Sequence, residues 1–224
     1  MSMREITTKG RPLLQVALDL IDLERALKIA LESSRAGVDI VEVGTPLIKS
    51  EGIRSIRIIR AALPEKPIVA DMKIVDAGKL ETGLAINAGA DIVTVMGFSS
   101  MNTIKYVVDE AKSLGGKVMV DLMGIPNKLR RVEEILSVCR PDIFCIHIGI
   151  DEQRDKSVES LVEVIRDLKD NSGVEVAVAG GIDESTAPIL AMAGADILIV
   201  GRAITTSIDI ERKVKNLLKS IGRG

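Results

Sequence analysis

Short apolar runs rich in Val and Ile alternate with longer amphipathic runs along the whole chain, the pattern of parallel strands joined by crossover helices. Eight runs predict strands: Leu13–Asp19, Asp39–Thr45, Pro67–Lys73, Asp91–Gly97, Lys117–Gly124, Asp142–Gly149, Glu175–Gly181 and Asp196–Ile204. They read as continuous apolar stretches rather than alternating ones, as expected of strands covered on both faces. Between them, Leu23–Arg35, Ser55–Leu63, Thr103–Leu114, Leu129–Val138 and Val158–Leu168 return apolar residues at three- and four-residue intervals and predict helices. Eight strand and helix pairs predict an α/β chain folded as one (β/α)8 TIM barrel.

A weak internal repeat supports that reading. Ala36-Gly37-Val38-Asp39-Ile40, Ala88-Gly89-Ala90-Asp91-Ile92 and Ala193-Gly194-Ala195-Asp196-Ile197 each end a helix on Gly, which supplies a left-handed stop, and open a strand. The alternative, a doubly wound open sheet, usually carries an early glycine fingerprint, and neither GxGxxG nor Walker A occurs. No Pro/Gly/Ser-rich linker divides the chain, so a short N-terminal lead, residues 1–12, is expected to precede one barrel domain, residues 13–224.

Composition narrows the function. The 224 residues are 46% hydrophobic and 28% charged, as in an ordinary globular protein able to bury one sizeable core. A formal net charge of -2, with no Trp, one Tyr and two Phe, offers neither a basic surface nor a stacking platform, so no nucleic-acid partner is expected. The longest uncharged stretch, Ile92 to Ile104, is interrupted by Gly, Ser, Asn and Thr and is shorter than the ~20 apolar residues that span a bilayer, so no membrane partner is expected. Met1 to Pro12 lack the apolar core of a secretory signal, which points to the cytoplasm. Cys139 and Cys145 form no CxxC pair and read as small buried side chains.

In barrels of this class the chemistry sits at the C-terminal ends of the strands. Charges interrupt the apolar runs there on five strands: Asp19, Glu42, Asp71 with Lys73, Asp121 and His147. Any one of them could belong to a structural ion pair, but several carboxylates beside one lysine are costly without a balancing cation. Asp71 and Lys73 are two apart, so in an extended strand both point to one face. Asp76, five residues after Asp71, must reach the site from the following turn or serve a neighbour. All-oxygen ligation by Glu42 and Asp71, with Asp19 as a third candidate, suits a hard cation such as Mg2+ (or Mn2+), whereas one His and two distant Cys are too few for zinc. Nearby carboxylates would keep Lys73 protonated, against a Schiff-base role. His147 is the only histidine, and its level with the carboxylates points to acid/base work rather than packing. Gly180-Gly181 and Gly201-Arg202 follow the last two strands, where barrels commonly bind phosphate; glycines also serve tight turns, but two adjacent strand ends with an Arg point to a phosphorylated ligand.

The run Asp71-Met72-Lys73-Ile74-Val75-Asp76 is a D-x-K-x-x-D motif at the third strand. Together with Leu14-Gln15-Val16-Ala17-Leu18-Asp19, the stretch Glu42-Val43-Gly44-Thr45-Pro46-Leu47-Ile48-Lys49 and Ala179-Gly180-Gly181-Ile182, it resembles the orotidine-monophosphate decarboxylase superfamily, and within it the 3-hexulose-6-phosphate synthases. The motif alone is moderately specific; the Glu42–Lys49 stretch in register with it is strongly so. The resemblance implies a Mg2+-dependent aldol reaction of formaldehyde with D-ribulose 5-phosphate through an enediolate. Glu42 and Asp71 would hold the metal, His147 would move the C1 proton, Lys73 would face the enediolate, and Asp19 would orient Lys73 or a substrate hydroxyl. Gly180, Gly181, Gly201 and Arg202 would hold the phosphate. It also implies a homodimer with shared active sites, Asp76 entering the partner subunit's site. Metal-free orotidine-monophosphate decarboxylases carry a Lys where this chain has Glu42. The 3-keto-L-gulonate-6-phosphate decarboxylases carry an Arg three residues after the strand 6 His, and here that position is Ile150. Both departures favour the aldol branch.

Overall fold

The computed structural model describes residues 11–152 and 161–223. Its strands are β1 (Leu13–Leu18), β2 (Ile40–Val43), β3 (Ile68–Ile74), β4 (Ile92–Met96), β5 (Lys117–Asp121), β6 (Ile143–His147), β7 (Glu175–Ala179) and β8 (Ile197–Val200). All neighbours pair in parallel, and β8 closes the barrel on β1. The helices are α1 (Leu23–Ala36), α2 (Thr45–Glu51), α3 (Arg54–Ala62), α4 (Gly78–Asn87), α5 (Met101–Ser113), α6 (Lys128–Leu136), α7 (Val162–Ser172), α8 (Ala187–Ala193), α9 (Arg202–Thr205) and α10 (Ile210–Ser220). The expected (β/α)8 barrel is therefore present. Most of the expected N-terminal lead, and the start of the helix expected from Val158, lie outside the described residues.

Every strand but β3 ends earlier than its apolar run suggested, and in two of them a helix takes over the end of the run. The second was expected through Thr45, but Thr45-Pro46 open α2, where proline suits the first helical turn because its missing N–H has no partner to lose. The eighth was expected through Ile204, but α9 begins at Arg202 and buries Ile204 from a helix instead. Short apolar runs do not distinguish the two states.

Side chains alternate along the strands between two apolar cores. Leu14, Val16 and Leu18 face the helices, while Ala17, Ile40, Val69, Ile92, Met119 and Ile143 fill the barrel interior. The helices present one apolar stripe inward: α10 buries Ile210, Val214, Leu217 and Leu218, and Asp209 caps its start by accepting from the Arg212 N–H.

The bottom of the barrel repeats one device four times. Asp39, Asp91, Asp142 and Asp196 stand at the entrances to β2, β4, β6 and β8. Their carboxylates accept the N–H of Leu14, Ile68, Val118 and Val176 at 2.8, 2.8, 2.9 and 2.7 Å. Their own N–H groups donate to the carbonyls of the same four residues at 2.9, 2.8, 3.1 and 2.8 Å. Each carboxylate thus clamps an odd strand to the even strand that follows. The repeat in the sequence is this clamp, preceded by Gly37, Gly89 or Gly194 in the left-handed conformation, while the fourth copy is disguised as Cys139-Arg140-Pro141-Asp142. Arg223, Arg60 and Lys169 add a cation to Asp39, Asp91 and Asp196 respectively.

Replacing Asp91 by Ala takes the acceptor from the Ile68 N–H and the carboxylate from its pair with Arg60, and urea unfolding should show a loss of about 1–3 kcal/mol. The control Asp109→Ala removes only an exposed helix pair with Lys105 and should cost less than about 0.5 kcal/mol. Equal losses would show that the clamp adds nothing to an ordinary surface pair.

Candidate active site

The inward positions at the C-terminal ends of the strands surround one cavity of about 680 Å3, lined among others by Asp19, Glu42, Asp71, Lys73, Asp121, His147, Gly180, Gly181, Gly201 and Arg202. Ala17, Met119, Cys145, Ala179 and Ile199 form its apolar part. Of the residues singled out in the sequence, only Asp76 lies elsewhere: it is exposed on the β3–α4 loop and does not line the cavity.

Asp71 and Lys73 do share the mouth, but not through simple strand alternation. Ala70 pairs with Val93 and Ile74 with Val95, so Asp71, Met72 and Lys73 stand opposite Thr94 alone in a bulge. Lys73 adopts a left-handed backbone, φ +48, which costs a non-glycine residue on the order of 1 kcal/mol. Thr94 holds the bulge in place. Its Oγ1 accepts the Lys73 N–H at 2.9 Å and donates to Asp71 Oδ1 at 2.8 Å. From the other side the Thr45 hydroxyl reaches Asp71 Oδ2 at 2.7 Å.

Lys73 Nζ bridges two strands, 3.2 Å from the Asp71 carboxylate and 2.7 Å from Asp121 Oδ2. Burial would lower the Lys73 pKa, but Asp71 and Asp121 outweigh it and hold the ammonium well above its ordinary value. The expectation that Lys73 stays protonated agrees with this. Asp121 Oδ2 also lies 2.9 Å from His147 Nδ1. Burial opposes the charge on Asp121, yet the hydrogen bond from His147, the His147 charge and the Lys73 ammonium together hold its carboxyl well below the usual range. An ionised carboxylate only accepts, so Nδ1 carries a proton, and in the neutral ring Nε2 is left as the base.

On the opposite flank Glu42 and Asp19 have no ion pair among the described residues. The ligating atoms of Asp19, Glu42 and Asp71 lie within 4.8 Å of one another. Burial, then Asp71 and Asp19, push Glu42 well above the usual carboxylate range; burial and then Asp71 push Asp19 up. Three crowded oxygen donors, with the anionic forms of Glu42 and Asp19 penalised, fit a hard divalent cation, which would remove that penalty. Cys145 lies nearby, but burial keeps its thiol protonated, consistent with a packing role.

The far wall is backbone. Gly180 and Gly181 turn through the left-handed region, and a Cβ on Gly180 would fall 2.3 Å from the Ile148 carbonyl oxygen, so only glycine lets the β7 turn pass β6 this closely. Beside it Gly201 and Arg202 open α9 at the cavity edge.

Asp121, Thr94, Thr45 and Gln15 were not among the residues assigned a role from sequence. Asp121 was visible as a charge in an apolar strand, but its link to His147 required the β5–β6 pairing. The two threonines carried no signal, because Thr is common in strands and turns alike.

The pattern of a family model, described as Orotidine 5'-phosphate decarboxylase / HUMPS family, matches residues 12–217. The chain is 36% identical over 213 residues to the 3-hexulose-6-phosphate synthase of Bacillus subtilis (strain 168), covering 94% of this chain and 99% of that one. It is 38% identical over 208 residues to the 3-hexulose-6-phosphate synthase of Mycobacterium gastri, covering 93% and 99%. The crystal structure of 3-hexulose-6-phosphate synthase from Salmonella typhimurium superposes with a TM-score of 0.87 at 34% identity, covering 93% of this chain and 98% of that one.

Because the folded-state pKa of Glu42 lies above its unfolded value, the metal-free barrel gains stability from this group only at acid pH and loses it as pH rises towards the folded value. Glu42→Gln should therefore raise the melting midpoint of metal-free protein at pH 8, by about 2–4 °C for each kcal/mol relieved, with the gain shrinking towards pH 4. A midpoint that falls at pH 8 would contradict the charge-crowding account.

Proposed function

The chain belongs to the orotidine 5'-phosphate decarboxylase / HUMPS family, and from that membership we propose that it catalyses the aldol condensation of formaldehyde with D-ribulose 5-phosphate to D-arabino-hex-3-ulose 6-phosphate, and the reverse cleavage. The observation that carries this reading is the division of one cavity into three parts: unbalanced carboxylates, an Asp121-oriented His147 beside the Lys73 ammonium, and a glycine-rich wall ending in Arg202.

Glu42 and Asp71 would hold a Mg2+ or Mn2+ ion, with Asp19 in reach. Such an ion supplies Lewis-acid polarisation of the sugar oxygens when bound. Gly180, Gly181, Gly201 and Arg202 bind the phosphate and so place the sugar's C1 at the barrel centre. His147 Nε2 takes the C1 proton; the carbanion equivalent left at C1 forms a bond to the formaldehyde carbon as its C=O π bond opens, and the new alkoxide takes that proton back from His147. Lys73 faces the negative charge as it develops, and Asp19 orients Lys73 or a substrate hydroxyl. Ala17, Ala179 and Met119 give the cavity an apolar lining beside the charged groups. Ile150, apolar at the cavity rim, offers no cation for a substrate carboxylate, which supports the aldol reading over decarboxylation.

Formaldehyde consumption with D-ribulose 5-phosphate should require Mg2+ and stop on adding EDTA. Asp71→Asn should abolish it, and Asp121→Asn, which reverses the His147 tautomer, should lower kcat about 100-fold or more. Carbon dioxide release from 3-keto-L-gulonate 6-phosphate, without formaldehyde turnover, would move the chain to the decarboxylase branch.

The proposal includes a homodimer with shared sites. Asp76 is exposed outside its own cavity, next to exposed Val75 and the apolar stripe of Leu80 and Leu84 on α4, the kind of surface a second copy covers. Asp76→Ala and His147→Ala should each be inactive alone. After mixing and subunit exchange, random pairing should restore about one quarter of wild-type activity, because half the dimers then hold one complete site. No recovery among exchanged dimers would place Asp76 outside the partner subunit's site.

A further inference from the structure

Below the carboxylates, Gln15 points from β1 into the barrel. It is fully buried, in register with the apolar interior residues Ile40 and Ile199 on either side. Its Nε2 donates to Glu42 Oε2, whereas its Oε1 has no hydrogen-bond partner among the described residues. With Glu42 ionised, as a cation ligand must be, the amide orientation follows from chemistry: turned over, it would set its carbonyl against a carboxylate oxygen and orphan the NH2 group instead. A methionine or leucine would fill the same space without an unpaired carbonyl, so packing does not account for an amide here. Asp71 has the corresponding supports in Thr45 and Thr94; Gln15 is the donor that meets Glu42.

We propose that Gln15 is a positioning residue for the cation site: its amide anchors one oxygen of Glu42 and thereby aims the other at the position between Glu42, Asp71 and Asp19. The inference rests on the reading of Glu42 and Asp71 as cation ligands, and adds that the barrel accepts a buried orphan carbonyl to orient one of them. Outer partners of this kind commonly set metal affinity by 10–100-fold.

The test uses the full chain with Mn2+ alone as probe, its affinity followed by electron paramagnetic resonance and the metal-free melting midpoint by calorimetry. In Gln15→Met the expected result is Mn2+ binding weakened by roughly 10–100-fold with a midpoint unchanged or higher. A lower midpoint with unchanged Mn2+ affinity would make Gln15 a packing residue and overturn the proposal. Gln15→Leu repeats the measurement with a branched side chain should the methionine variant fail to fold. Wild-type protein that binds no Mn2+ would instead sink the ligand assignment itself, whereas binding by wild type and variants alike sinks only the role of Gln15.

Discussion

One ammonium serving several buried carboxylates is the constraint on which the upper half of this barrel depends. Lys73 touches Asp71 and Asp121, while Glu42 and Asp19 stand close by with no cation of their own. Charges this crowded tend to repel or take up protons, and the buried ones, Asp71, Asp121 and Glu42, are held by directed hydrogen bonds. The local structure is arranged accordingly. A bulge and a left-handed lysine bring two charges of one strand together; Thr94 ties the bulge, Thr45 fixes Asp71, and Gln15 fixes Glu42. The result is a site polarised across its width, with a charge-balanced half at β5 and β6 and a half at β1 to β3 that favours a cation.

Strain at the top is offset by regularity at the bottom. The four clamps at Asp39, Asp91, Asp142 and Asp196 lock adjacent strands in register at the end opposite the cavity. The same residue type therefore does opposite work at the two ends: at the entrance of a strand an aspartate satisfies backbone donors, and at its exit it carries charge into a cavity. This is the division of stability and function expected between the two faces of a (β/α)8 barrel. Between them the interior is filled mainly by apolar side chains, among which Gln15 meets the site from below through Glu42.

The chain alone determined the architecture, because continuous apolar runs alternating with amphipathic ones leave few ways to bury both faces of every strand. It also marked charged residues that come together, since a charge in a buried strand is costly and therefore stands out: Asp19, Glu42, Asp71, Lys73 and His147 do meet in one cavity. The tertiary structure alone decided how they are used. Lys73 reaches the mouth through a bulge that two-residue alternation does not encode, Asp121 becomes the partner of His147 only when β5 and β6 lie side by side, and Asp76 turns away from its own cavity because the β3–α4 loop carries it outward. Local pattern reports the energy of burying a side chain, which each residue registers by itself; hydrogen-bond partnership and strain depend on distances between strands 23 to 48 residues apart, which only the closed barrel sets.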